Sequence, residues 1–392
     1  MRSSLLRFEG TNSRSSMNSK ASLCFKRLAS FKLPNRPPFH EVFPQKTLVN
    51  RILFELDSKL TFPKLYPVYE SIYNNLGHSD RENALPKSFT ASDVMIMKKV
   101  LEKLRHRTKS TNRNFIALEN ELLEKAAEMG DNDAIGLLAY SVLKNPQKNS
   151  AEDVAHAKSL IKQLYQMNHS LTLKLTGDFA WRSDDFTNAE SYYKRFLEFE
   201  NDTFRAGEVY GQLGILYLRK PDLKEAERCF LSSISLAPRE NVVKSYYHLA
   251  QLYMESYPLK ARSLMESAAA EGFKESFQLL GFLEMNYFQN YAKSQQWFKL
   301  GMELFEVDCY IGYFDSCVKM QKWHLAKKCL ETMHLLVQKN TAQYPAYETF
   351  LKSREDKIEA LKLHSTNPHI EVSKYATQMR GSPATKRNTW GL

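Results

Sequence analysis

The chain has 392 residues, 43% of them apolar, five cysteines and a formal charge of +11. None of the cysteines forms a Cys-x-x-Cys pair, which excludes a cysteine zinc site and a disulfide framework, and no run of about 18 apolar residues exists to form a membrane-spanning helix. Residues 1–37 hold +7 of the charge and residues 364–392 hold +3, leaving +1 for the 326 residues between, so the body of the chain lacks the basic surplus of a nucleic-acid-binding fold.

Taken in order, residues 1–37 are rich in Arg and Ser and poor in acid, the composition of a mitochondrial transit peptide or a disordered leader. A short amphipathic helix is expected from Met17, an alternative start, and Arg27-Leu28-Ala29-Ser30 resembles an arginine-directed processing site. Pro34, Pro37 and Pro38 then break the chain. Residues 38–114 read as an N-terminal helical cap. Leu48, Ile52, Leu53, Leu56 and Leu60 lie at helical spacing, Pro63 and Pro67 interrupt, Val68–Leu76 forms a second helix, and Ser92-Asp93 opens a third. That third helix carries Lys98, Lys99, Lys103, Arg105, Arg107 and Lys109, a basic face suited to peripheral attachment on an anionic membrane.

Residues 115–338 read as a repeat array. Its clearest unit is Tyr210–Pro238, with Tyr210, Leu213-Gly214, Tyr217, Ala226, Phe230 and Pro238 at tetratricopeptide spacing. Small residues let the first helix of a unit (helix A) approach the second (helix B), bulky ones fill the seam, and the proline ends helix B. Equivalent small positions are Ala139, Gly177, Gly214, Ala250, Gly281 and Gly312 on A helices, and Ala157, Ala189, Ala226, Ala261, Ala292 and Ala326 on B helices, spaced 31 to 38 residues apart. Two units, at residues 125–140 and 267–283, have the tighter Sel1-like form, with a glycine placed to end one helix and start the next. The fold expected is therefore all-α, a tetratricopeptide/Sel1-like helical-repeat solenoid with helical N- and C-terminal caps, the latter over residues 339–363. Residues 364–392 read as a disordered tail.

No phosphate-loop, dinucleotide, zinc-protease or serine-hydrolase motif is present, so no catalysis and no cofactor or metal are expected. A binding surface is the alternative. In repeats of this class helix A lines the concave face. Positions one and four after the small residue, and three and six before it, select Trp181, Leu218, Tyr247, Met254, Phe282, Met285 and Tyr313, with Tyr140 and the polar Asp178, Lys244, Gln251, Glu275 and Gln278. Aromatic and thioether side chains in such numbers suit a polypeptide partner, although packing between neighbouring A helices is the competing use for Tyr140 and Phe282.

Four stretches go beyond the repeat consensus: FHEVFPQKTLVNRILFELDSKLT (39–61), ENELLEKAAEMGDNDAIGLLAY (119–140), NHSLTLKLTGDF (168–179) and LGFLEMNYFQNYAKSQQWFKLGMELFEVDCYIGYFDSCVK (280–319). Through them residues 38–363 resemble a family of fungal mitochondrial proteins required for export of the C-terminal tail of cytochrome c oxidase subunit II. The leader and the tail after Leu363 depart from that pattern. The resemblance implies a matrix-side protein peripherally bound to the inner membrane. It also implies that the partner is the subunit II tail, an insertase of the Oxa family, or both; no nucleic acid is expected, because the body of the chain is near neutral. The other class considered is an RNA-binding helical-repeat factor of mitochondrial translation or RNA processing, which the near-neutral body disfavours.

Overall fold

The computed structural model describes residues 37–76, 85–86, 88–339 and 344–366. The leader with its processing site, and the tail beyond residue 366, lie outside them. The described residues form nineteen α-helices and no strand. They fall into two units, residues 1–199 and 200–392.

The first unit opens with α1 (Phe39–Val42), α2 (Lys46–Glu55), α3 (Phe62–Asn75), α4 (Ala91–Thr108) and α5 (Arg113–Glu128). Their apolar faces close one core around Val49, Ile52, Leu65, Tyr69, Val94, Met97, Leu118 and Leu122. The buried Tyr69 hydroxyl donates to the Met97 carbonyl at 2.7 Å, which satisfies a polar atom the core would otherwise strand. Two sequence expectations shift here. Helix α3 runs through Pro63 and Pro67 instead of starting at Val68. Pro63 lies in the first turn, where its missing N–H is no loss, and Pro67 forfeits only the bond to the Pro63 carbonyl. Helix α4 starts earlier than Ser92-Asp93: Thr90 is its N-cap, in a reciprocal capping box with Asp93.

The repeats follow as helix pairs. The first unit holds α6 (Asn132–Lys144) with α7 (Ala151–Gln166), and α8 (Ser170–Arg182) with α9 (Phe186–Phe199). The second holds α10 (Phe204–Arg219) with α11 (Leu223–Leu236), α12 (Val243–Tyr253) with α13 (Pro258–Ala270), α14 (Lys274–Asn286) with α15 (Tyr291–Glu303), and α16 (Val307–Lys319) with α17 (Trp323–Lys339). The solenoid is built on the small residues. A Cβ added at Gly177 would stand 2.6 Å from the Tyr193 ring, and one at Gly214 would stand 2.5 Å from the Phe230 ring. Gly214→Leu should accordingly overpack the α10–α11 seam and cost about 1–3 kcal/mol, read as a lower thermal midpoint; an unchanged midpoint would refute the seam. One position needs correction. Ala292 is exposed, and Ser294, fully buried four residues before Phe298, takes the place that Ala226 takes before Phe230. The Sel1-like glycines behave as their spacing requires: Gly130 (φ 86°) and Gly272 (φ 79°) adopt the left-handed conformation between consecutive helices.

Helices α18 (Tyr344–Ser353) and α19 (Glu355–Thr366) close the C-terminal end. Phe350 packs edge-on against Phe314 at 5.3 Å. Asp315, almost fully buried on α16, receives Arg354 at 3.0 Å and Lys357 at 2.6 Å. The ring contact thus holds α18 to α16, and the paired charge holds the α18–α19 link and α19 to the same helix.

Candidate functional site

Within the second unit, the A helix α14 is stitched to α16 by polar contacts and meets α12 through an aromatic one. The Gln278 amide donates to the Asp308 carboxylate at 3.1 Å, and Lys274 pairs with Glu306 at 2.6 Å, both from α14 to the start of α16. The Tyr247 ring of α12 packs 4.9 Å from Phe273, which leads into α14, and 5.2 Å from His248. Gln251 donates to the Tyr247 hydroxyl at 3.3 Å. Burial first, then the nearby Glu275 carboxylate, pushes the Tyr247 phenol up, so it remains a neutral hydrogen-bonding group. Burial also lowers His248, which stacks on Phe230 at 5.8 Å and stays neutral.

Five of the seven sequence-selected apolar residues, Tyr247, Met254, Phe282, Met285 and Tyr313, belong to the same three helices. Phe282 meets Phe298 edge-on at 5.0 Å. The Met285 sulfur accepts from the Ser316 hydroxyl at 3.4 Å across α14 and α16. Tyr313 sits beside Cys317, its phenol raised chiefly by burial. Met254 caps the C-terminus of α12, and Leu218 packs on α10 against the Phe230 cluster. All of these, with Tyr247, are half-buried. Each is seated in the fold on one side and presents the remainder of its surface, the state of a side chain that can contact a partner without ordering cost.

Two aromatic positions differ. Trp181 belongs to the first unit, where it packs edge-on against Phe186 at 5.6 Å, a contact within its own helix pair. Tyr140 is 5% exposed, and its hydroxyl meets the Thr176 hydroxyl at 2.5 Å between α6 and α8. It is packing between A helices and not a lining residue. The reading by helical offset also missed three contributors. Phe273 precedes its helix, and His248 and Asp308 fall outside the chosen offsets by one residue.

The buried thiols serve the core. Burial pushes Cys309 and Cys329 up to about 12 and Cys317 to about 11, so all three stay protonated and unreactive at physiological pH. The basic helix α4 is also altered by its surroundings. Lys98 pairs with Glu102, Arg105 with the buried Glu119 at 3.0 Å, and Arg107 and Lys103 both reach Glu55 of α2, at 2.5 and 3.8 Å. The six cations are therefore not a bare row: Lys103 and Arg107 share Glu55, and Lys99 and Lys109 are exposed outside these pairs.

Comparison with known proteins follows this architecture. Residues 35–131 match the family model described as the MSS2 N-terminal domain, which takes in α1 to α5. Residues 207–240 match a tetratricopeptide repeat, the α10–α11 pair. Over 344 residues the chain is 40% identical to "Protein MSS2, mitochondrial" of Saccharomyces cerevisiae, spanning 84% of this chain and 97% of that protein. Among solved structures it is similar to c5321, a protective antigen of uropathogenic Escherichia coli displaying an SLR fold, at TM-score 0.42 and 15% identity over 74% of this chain and 68% of that one. It is similar also to yeast Tom70, at TM-score 0.38 and 11% identity over 81% of this chain and 68% of that one. With its N-terminal domain, its repeats and nearly the whole length of the relative matched, the chain belongs to the MSS2 family of mitochondrial helical-repeat proteins.

Proposed function

We propose that the protein is a non-enzymatic assembly factor for cytochrome c oxidase. It acts on the matrix side of the inner membrane and helps an Oxa-family insertase pass the C-terminal tail of subunit II across. The resemblance of residues 38–363 supplies the process. The observation that carries the mechanism is the face on α12, α14 and α16, where Tyr247, Phe282, Met285 and Tyr313 are half-buried beside Gln251, Gln278 and Asp308. Aromatic and thioether anchors with amide and carboxylate neighbours suit an extended or helical polypeptide, and adaptable Met side chains tolerate a passing sequence. A holding surface of this kind keeps the tail from folding or aggregating until the insertase takes it.

Tyr247→Ala with Met285→Ala should remove two anchors worth together about 3–4 kcal/mol, a loss of several hundredfold in partner affinity. Cells carrying the double variant should make subunit II and insert its N-terminal part. Protease added to mitoplasts should then fail to reach the tail. Normal tail exposure, in a variant whose circular dichroism and thermal midpoint match wild type, would remove this face from the mechanism. Normal exposure in cells lacking the protein altogether would remove the function.

A further inference from the structure

Phe54, in the last turn of α2, is 87% exposed, the most exposed large apolar side chain of the described residues. The next residue, Glu55, is a single carboxylate shared by three cations: Arg51 at 3.4 Å, Arg107 at 2.5 Å and Lys103 at 3.8 Å. Three cations against one carboxylate leave a local surplus of two positive charges. Lys99 extends it, exposed one helical turn from Lys103 on the same side of α4. The ring and the charges therefore belong to one corner, where α2 meets α4.

We propose that this corner, Phe54 with Arg51, Lys99, Lys103 and Arg107, is the surface by which the protein docks on an anionic lipid bilayer, the ring entering the headgroup region and the cations facing lipid phosphates. The inference deepens the membrane-side part of the proposed function and rests on it. Two features favour lipid over a protein partner. A ring exposed to this extent stands clear of its neighbours and has no concave seat to share with a partner's side chain, whereas the bilayer interface accepts a single amphipathically placed aromatic. The shared carboxylate holds the cations together without cancelling them, so the corner is complementary to a negative surface. No helix of the described residues is long and apolar enough to cross a membrane, which makes a docking surface of this kind the means of attachment that the described residues offer.

The test is flotation of the full chain with vesicles of phosphatidylcholine, with and without phosphatidylglycerol, comparing wild type with Phe54→Ser and with the pair Lys99→Glu and Lys103→Glu. Residues 1–37 carry a charge of +7, but every variant retains them, so differences report the corner alone. Neither change threatens the fold: Phe54 and Lys99 are exposed, and Glu55 keeps Arg107 when Lys103 is changed. Each exposed cation should contribute about fivefold to partitioning onto anionic vesicles. The charge pair should therefore lose at least tenfold and show a weaker dependence on salt than wild type, the remainder coming from the leader, Arg51 and Arg107. Phe54→Ser should lose several-fold at every salt concentration. Equal flotation of all three proteins would overturn the proposal while leaving the membrane-side reading in place. Recovery of the native protein wholly in the soluble matrix fraction of mitochondria would overturn the reading and the docking surface together.

Discussion

Replacing Glu284 by alanine is expected to destabilise the second unit by about 3 kcal/mol, the lower end of the cost of breaking a buried ion pair. Glu284 lies on α14 with its side chain 1% exposed. Its carboxylate meets Arg262 of α13 at 2.8 Å and Lys293 of α15 at 3.1 Å. Glu266 meets the same cations, at 3.4 and 3.0 Å. Four charges thus join helices of two successive repeats. The attraction is more ionic than directional, because neither oxygen of Glu284 makes an aligned hydrogen bond. Arg262 and Lys293 are 28% and 29% exposed. With the carboxylate gone they can turn to water and to Glu266, which places the loss at the lower end. Glu284→Met combined with Arg262→Met and Lys293→Met should recover much of the stability, since no buried charge is left unpaired and Glu266, 39% exposed, can turn to water. Urea unfolding measures both. A neutral Glu284→Ala variant would mean that the network adds nothing to repeat stacking.

Phe298→Ala should cost about 3–5 kcal/mol, the range for removing a buried aromatic ring. Phe298 of α15 is fully buried beneath two glycines on successive A helices. A Cβ at Gly281 would stand 2.3 Å from its ring, and one at Gly312 would stand 2.2 Å from it. One ring therefore fills the seam of its own repeat and the junction to the next. The lock has a second signature. Gly312→Ala should destabilise the wild-type protein, because a rigid buried ring must move, and should cost much less in the Phe298→Ala background, where the space is open. The resulting coupling is the expected mark of two residues in direct contact. Equal costs in the two backgrounds would mean that the ring and the glycine are not in register.

Local chemistry explains what was legible in the sequence. The paired small residues placed every repeat helix, because close approach of helix A to helix B leaves no alternative to Gly, Ala or Ser at the crossing. Ser294 was missed only because an alanine stands two positions earlier. Thr90 was missed as the N-cap because the reading began at the first strongly apolar residues. Long-range pairing was not legible. Nothing in the local pattern of α4 shows that Arg107 and Lys103 turn to Glu55, which lies about fifty residues earlier, so the basic face read as a free row. The proposed binding face was partly legible. Offsets from Gly281 found Phe282, Met285 and Gln278, but Phe273 sits in a turn, where helical offsets do not apply. Tyr140 obeys the same offset as Phe282 and is nonetheless core, because Thr176 on the next A helix covers it.

On the proposed function, the A-helix face of the second unit holds a polypeptide during cytochrome oxidase assembly. Site-specific photocrosslinking in isolated, translating mitochondria tests it most directly. A photoreactive residue replaces Met285 on α14 in one variant and, as the control, Leu335 on α17, a B helix, where the side chain is 57% exposed. The account predicts that newly synthesised subunit II is captured from the Met285 position and not from the Leu335 position. Capture from Leu335 alone, or no polypeptide captured from Met285 while subunit II is being made and inserted, would contradict it.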